Sequence, residues 1–145
     1  MILSRRSAVA LAATVLTLYV TPLAMVRSVG AAEFATRGND AGGVRVDVTP
    51  KSVAAGSAWQ FEVVMDTHTK PLNDDLTKTA VLVDDGGRKY APLDWQGDEA
   101  GGHHRKGVLR FPAPSEPIKS FELQIQGVGG DSKNKRVFKW TMKQP

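Results

Sequence analysis

The amino-acid sequence predicts an all-β protein, an antiparallel β-sandwich of about seven strands preceded by a signal peptide. Three observations carry this prediction. The N-terminal stretch has the charge and hydropathy layout of an export signal. After it, short runs of alternating apolar and polar residues follow one another to the C terminus. Turn residues such as glycine, proline and asparagine separate these runs, and none of the runs shows a helical period.

The signal peptide is predicted over residues 1–32. Arg5 and Arg6 give it a positive start, residues 8–20 form an apolar core, and small residues lead up to Ala32. This layout is typical of a cleavable secretory signal. We therefore expect the rest of the chain in the periplasm or outside the cell.

A retained membrane anchor is the alternative for this segment. Residues 8–26 carry no charge, and a helix of about 20 apolar residues spans a bilayer. The pair Arg5-Arg6 also leaves twin-arginine export open beside the general secretory route. If the signal is cleaved, we expect no stable membrane insertion.

Behind the signal, residues 33–43 read as a flexible leader and residues 44–145 as a single β-sandwich domain. About a hundred residues suffice for one hydrophobic core. Three of the 19 basic residues lie in the signal and all 15 acidic residues follow it, so the remainder carries a net charge of +1. This charge gives no electrostatic reason to expect a nucleic-acid partner. The absence of cysteine excludes disulfides and thiolate metal ligands.

Seven runs are predicted as strands, in the order 44–48, 59–65, 79–84, 88–92, 107–111, 120–126 and 136–142. The sequence Asp-Asp-Gly-Gly at 84–87 suits a tight turn, so the third and fourth strands should form a hairpin. Short strands at this spacing favour an immunoglobulin-like sandwich, with a small barrel as the alternative. The predicted core contains the aromatic residues Trp59, Phe61, Trp95, Phe111, Phe121, Phe138 and Trp140. For Trp95, in a loop, exposure as part of a binding surface is the alternative.

Three long connections should emerge at one end of this sandwich. If each strand reverses direction, residues 66–78, 93–104 and 127–135 share that end. Function is more often carried by loops than by the scaffold that holds them. We therefore expect the functional surface at this end.

All three histidines fall in these connections. In an immunoglobulin-like topology the second and fifth strands are antiparallel neighbours, which places Asp66 and His68 beside His103 and His104. Imidazole and carboxylate suit zinc or copper(II). The sequence thus predicts a metal site of Asp66, His68, His103 and His104, with copper or zinc as the cofactor. The alternative is that these side chains shape the loops or contact a partner.

Asp74 and Asp75 allow a further alternative, a calcium site built from carboxylate oxygens. Their spacing is not that of a regular calcium loop, and a helical turn capped by Asn73 or Asp74 is the simpler interpretation. The chain also lacks a Gly-x-Ser-x-Gly elbow, a glycine-rich phosphate loop and a His-Glu-x-x-His motif. We therefore expect that the protein is not an enzyme.

Three motifs resemble those of a group of small exported bacterial domains. They are Asp-Thr-His at 66–68, Tyr-x-Pro-Leu-x-Trp at 90–95 and Gly-Gly-His-His-Arg at 101–105. The similarity extends over about residues 44–140. It implies a shared immunoglobulin-like fold and directs attention to the histidines, and it implies no activity.

The predicted function is that of an exported β-sandwich that binds a ligand or a partner, with a transition metal held by the loop histidines as the most specific version. The alternative is a metal-free structural or protein–protein interaction module of a cell-envelope complex.

Overall fold

The computed structural model describes residues 34–143, so the predicted signal peptide lies outside the described residues. The described part contains nine strands, one helical turn and one 3-10 turn. The elements are, in chain order, β1 (Arg37–Ala41), β2 (Val44–Ser52), β3 (Trp59–Thr67), α1 (Leu76–Thr79), β4 (Ala80–Asp84), β5 (Lys89–Tyr90), β6 (Asp94–Gly97), β7 (His104–Phe111), β8 (Ser120–Gln126), the 3-10 turn (Val128–Gly130) and β9 (Lys135–Thr141). No helix among these residues is long and apolar enough to cross a membrane.

The strands form two antiparallel sheets. One has the order β1-β2-β3-β7-β6 and the other the order β5-β4-β8-β9. The predicted all-β sandwich is therefore confirmed. The orders β2-β3-β7-β6 and β4-β8-β9 are those of an immunoglobulin-like arrangement, and the predicted hairpin is present as β4 and β5.

Two of the nine strands were not predicted. β1 occupies part of the stretch expected to be a flexible leader, and β6 lies within a stretch expected to be a connecting loop. Both are short, and neither has the apolar alternation that marks a half-buried strand in a sequence. β7 also begins at His104, three residues earlier than expected, so His104 belongs to a strand and not to a loop.

The core lies between the two sheets, and its aromatic cluster is centred on Phe121. The Phe121 ring packs against Trp59 at 5.0 Å and Trp140 at 5.5 Å between centroids, and against Phe61 at 5.9 Å. Phe34, from the stretch predicted as a leader, adds an edge-to-face contact to Phe121 at 5.5 Å. Because alternate strand residues point inward, six of the seven predicted core aromatics are buried. Trp95 is half-buried.

The connections divide between two ends of the sandwich. The end that we call the loop end consists of residues 42–43, 68–75, 98–103 and 127–134. The end that we call the Phe34 end consists of residues 34–36, 53–58, 85–88, 91–93, 112–119 and 142–143. This division follows from the strand pairings. It gathers the three long connections at one end, as predicted.

Candidate functional site at the loop end

A row of acidic and basic residues crosses the outer face of the five-stranded sheet beside the loop end. Asp40, Arg45, Asp66 and His104 are successive cross-strand partners on β1, β2, β3 and β7. Their strand neighbours, such as Met65, point into the core, so these four side chains point to solvent. The row alternates acidic and basic groups, which is a favourable order for cross-strand pairs.

Asp66 and His104 are in direct contact within this row. The Oδ1 atom of Asp66 lies 2.5 Å from Nδ1 of His104. Half of the Asp66 side chain and 61% of the His104 side chain are exposed, so water screens the pair and its contribution to stability is small. The carboxylate fixes the orientation of the imidazole and leaves its Nε2 atom for another partner.

Arg45 is oriented away from this pair. Its guanidinium donates from Nε and from a terminal nitrogen to the two carboxylate oxygens of Asp47, both at 2.9 Å. This hydrogen-bonded contact raises the pKa of Arg45 above its ordinary value. The guanidinium of Arg45 thus has its ion-pair partner, Asp47, within its own strand. The side chain of Asp40, next to Arg45 on β1, is exposed.

A groove of about 380 Å³ runs along the row and into the loop that follows β3. It is lined by Asp40, Gly43, Arg45, Asp66, Thr67, His68 and Thr69. Buried Thr67 shapes it: its hydroxyl donates to the Gly43 carbonyl at 2.8 Å and accepts from the backbone N–H groups of Thr69 and Lys70. The loop therefore turns directly after Thr67, and His68 is exposed at the groove.

Buried Arg105 holds two of the long loops together. Its guanidinium donates to the carbonyl of Asp74 at 2.6 Å and to the carbonyl of Asp98 at 3.2 Å. The same group lies 4.9 Å from the ring centre of Trp95, a cation–π contact. The indole of Trp95 donates to the Asp98 carbonyl at 2.8 Å. Trp95 is therefore packed against its own loop, and the alternative of an exposed binding residue is wrong.

The third loop is tied through a carboxylate. Asp74 accepts a hydrogen bond from the backbone N–H of Gly129 at 2.7 Å. In addition, Leu72 donates to the carbonyl of Gly102 and accepts from the N–H of Gly101. Residues 68–75 are thus bonded to both other loops. The loop end is one connected unit and not three independent loops.

Arg136 ties the turn between β1 and β2 to β9. It is 2% exposed and donates to the carbonyls of Ala41 at 2.7 Å, Val44 at 2.8 Å and Asn39 at 3.1 Å. Burial lowers the pKa of Arg136 below its ordinary value. The prediction from sequence missed both buried arginines. The signal was present, because Arg105 and Arg136 fall in phase with the inward-facing residues of their strands.

The four predicted metal ligands are only partly brought together. Asp66 and His104 are in contact, and His68 lines the same groove as Asp66. His103 has an exposed side chain, and its backbone carbonyl accepts from the N–H of Thr67 at 2.9 Å. Between residues 34 and 143, no three histidine, aspartate or glutamate side chains are placed to hold a metal ion.

The two aspartates of the calcium alternative both accept hydrogen bonds from the protein itself. Asp75 is the N-cap of α1 and accepts from the N–H of Thr77 at 3.1 Å and from its hydroxyl at 2.6 Å. These bonds lower the pKa of Asp75. The helical turn is therefore present, but its cap is Asp75 and neither Asn73 nor Asp74. The carboxylate of Asp74 accepts a hydrogen bond from the backbone N–H of Gly129.

Among the comparisons with known proteins, only the one with solved structures gives a match. No family model matches the chain. No curated protein gives a significant match. Among solved structures, the chain is similar to the crystal structure of a DUF4426 family protein from Pseudomonas aeruginosa PAO1, with 15% sequence identity and a TM-score of 0.48. The match covers 73% of this chain and 96% of that chain.

Proposed function

We propose that this chain is an exported, non-enzymatic β-sandwich that binds a protein partner in the cell envelope through its loop end. One observation carries the proposal. Three loops are held to each other by partly buried hydrogen bonds of Arg105 and Asp74, while the nearby side chains of His68 and His104 stay exposed. Loops ordered in advance lose little conformational entropy when a partner binds.

The groove beside the row defines where the partner binds. Asp40 and His68 lie in solvent at its rim, and Nε2 of His104 has no hydrogen-bond partner among residues 34–143. A partner that supplies hydrogen bonds to these groups is held in one orientation. Because the surrounding loops are fixed, recognition depends on side chains and needs no loop rearrangement.

Site-specific photocrosslinking in exporting cells tests this proposal. A photoreactive residue is placed at His68 in the loop end and, as the matched control, at exposed Lys89 in β5. We expect a discrete adduct from position 68 that is reduced in a background with Asp66→Asn and His104→Gln, and no such adduct from position 89. Equal adducts from the two positions, or none from position 68, contradict the proposal.

A transition-metal site is the second candidate function. The observation that favours it is the contact between Asp66 and Nδ1 of His104, because a carboxylate behind an imidazole is the usual support of a histidine that ligates zinc or copper. His68 at the same groove is the second imidazole that such a site needs. His103 then contributes only if its exposed side chain turns toward this groove.

Metal loading separates this candidate from a metal-free interaction module. The purified protein is dialysed after exposure to Zn²⁺ or Cu²⁺, and bound metal is measured. A metal site requires retention that is lost in His68→Ala and in His104→Ala. If stoichiometry is unchanged in both variants, the metal candidate fails and the metal-free structural or interaction module is retained.

A further inference from the structure

The Phe34 end, opposite the proposed partner site, is where the chain joins the sandwich. Phe34 is buried against Phe121, and the carbonyl of Ala35 accepts a hydrogen bond from the indole N–H of Trp140 at 2.8 Å. These contacts fix the first described residues to the core. Whatever precedes Phe34 therefore leaves the fold at this end.

This end presents more apolar surface than the loop end. A groove of about 410 Å³ lies there, and its lining includes Val53, Trp59, Pro114, Pro117 and Ile118. Beside it, residues 54–56, Ala-Ala-Gly, form an exposed loop tip. Leu93, on the same end, is 55% exposed, the most exposed large apolar residue of the described chain. The groove and Leu93 are the apolar features that this end offers to a contact.

Four exposed lysines lie in the Phe34 end or in the strand residues next to it. Lys51, Lys89, Lys119 and Lys143 are exposed, and none of them forms an ion pair within residues 34–143. Of the acidic groups at this end, Glu116 pairs with Arg88 at 3.0 Å, and Asp85 accepts from the backbone N–H of Lys119 at 3.2 Å, which is a neutral donor. The residues of the Phe34 end hold three basic and two acidic side chains, a net charge of +1, and Lys51 and Lys89 lie next to it.

The loop end has the opposite balance. Its connections, residues 68–75, 98–103 and 127–134, contain five acidic residues and two lysines. The two ends of the molecule thus differ in both charge and apolar character. Attraction to an anionic surface orients such a molecule with its Phe34 end toward that surface.

The sequence before Phe34 indicates which surface this is. Residues 8–26 carry no charge and have the length and composition to enter a bilayer. The seven residues 27–33 connect them to Phe34, and seven residues reach at most about 25 Å when fully extended. If this segment is retained as an anchor, the alternative to cleavage given above, residues 8–26 in the membrane hold the Phe34 end close to the lipid headgroups.

We propose that the Phe34 end docks on the surface of a bilayer that contains anionic phospholipids. The four lysines contact the phosphate-bearing headgroups, and Leu93 with the loop tip at residues 54–56 contacts the apolar boundary beneath them. The loop end then points away from the membrane, toward the aqueous compartment. This inference does not depend on the partner site at the loop end.

Lipid quenching of a site-specific fluorophore tests the orientation on the full chain. The sequence has no cysteine, so Ala55→Cys at the Phe34 end and Lys133→Cys at the loop end each give a single labelling position. The labelled chains are bound to vesicles that contain a headgroup quencher, with either phosphatidylcholine alone or phosphatidylcholine and phosphatidylglycerol. We expect several-fold stronger quenching at position 55 than at position 133 in the anionic vesicles, and a smaller difference in the neutral ones. Equal quenching at the two positions overturns the proposal.

Charge reversal distinguishes docking from simple tethering by the N-terminal segment. In the chain labelled at position 55, Lys51→Glu with Lys119→Glu is compared with the matched pair Lys70→Glu with Lys135→Glu, while sedimentation with the vesicles confirms that all chains stay bound. We expect quenching to fall to the level of position 133 only in the first pair. Quenching that is unchanged in the first pair means that the segment acts as a tether and that the Phe34 end faces another partner, which overturns the proposal.

Discussion

At the scale of single residues, buried polar side chains that bond to backbone fix the shape of the loops. Asp84 organises the turn between β4 and β5: its carboxylate accepts from the N–H groups of Gly86 and Arg88, both at 2.9 Å, and from the hydroxyl of Tyr90 at 2.8 Å. Burial alone raises the pKa of Asp84, but these three donors outweigh it and lower the pKa. The same contact with Asp84 raises the pKa of Tyr90.

Asp84→Asn should destabilise the fold in a pH-dependent way. The folded-state pKa of Asp84 lies below its unfolded value, so its stabilising contribution is fully present above the unfolded value of about 4 and is lost as pH falls through the folded value. At pH 7 we expect the free energy of unfolding to drop by about 1–3 kcal/mol. Denaturant unfolding measured at several pH values should show that the difference in unfolding free energy between the wild type and the variant narrows below about pH 4. A gap that is absent at neutral pH, or that does not narrow in acid, contradicts this role.

Arg105→Met should loosen the loop end more than it loosens the rest of the fold. The substitution keeps an apolar stem but removes the donors to the carbonyls of Asp74 and Asp98, and we expect a loss of about 2 kcal/mol in unfolding free energy. Hydrogen exchange should accelerate first at the amide of Leu72. The matched control is Lys106→Met, because the Lys106 side chain is exposed and only pairs with Glu62 at 3.1 Å. Equal effects of the two substitutions would contradict a bridging role for Arg105.

At the scale of elements, the strands differ in how far the sequence determines them. β2, β3, β8 and β9 alternate buried and accessible residues over seven residues or more, and this period is readable without a structure. β1 has no such period. It is held by pairing with β2 and by the buried guanidinium of Arg136, which are contacts between distant parts of the chain that a local pattern does not contain.

The sequence also predicts only part of the candidate site. The meeting of Asp66 with His104 follows from the antiparallel pairing of β3 and β7, which the predicted topology already contained. The positions of His68 and His103 depend instead on loop conformation. That conformation is set by Thr67, Arg105 and Asp74 through hydrogen bonds to backbone atoms, and residue spacing gives no measure of these bonds.

β6 depends on two glycines that let it approach β7. Gly97 and Gly107 are cross-strand partners, and a Cβ atom on Gly107 would lie 2.4 Å from Cζ2 of Trp95. We expect Gly107→Ala to displace the indole and lower the unfolding free energy by about 1–3 kcal/mol. Combined with Trp95→Leu, which removes the clashing ring, the additional cost of Gly107→Ala should shrink. Denaturant unfolding of the two single variants and the double variant measures this, and strictly additive costs would show that the clash is not the cause.

At the scale of the whole molecule, the sandwich has two ends with different construction. The loop end is internally bonded through Arg105 and Asp74, whereas the Phe34 end has an apolar groove and exposed lysines in it or next to it. One core between the sheets connects them, and Phe34 belongs to it although it lies before the predicted domain boundary. The stretch before β2 is thus part of the folded unit.

Phe34→Ala tests whether this stretch contributes to global stability. The substitution removes the ring that packs on Phe121, and loss of a buried phenylalanine costs about 3–5 kcal/mol in a fully closed core. Because Phe34 lies at the border of the core, with 9% of its surface exposed, we expect about 2–3 kcal/mol. Ala35→Gly is the control for local backbone effects, since the Ala35 side chain is exposed. A loss no larger than that of the control would mean that the stretch is a leader after all.

The proposed function rests on a loop end that is ordered before any partner binds. Backbone ¹⁵N relaxation of the free protein measures this order directly for residues 68–75, 98–103 and 127–134. The hydrogen bonds of Arg105 and Asp74 predict order parameters of about 0.8 or higher through these loops, close to those of the strands. Values below about 0.6 in these segments, beside rigid strands, would contradict it.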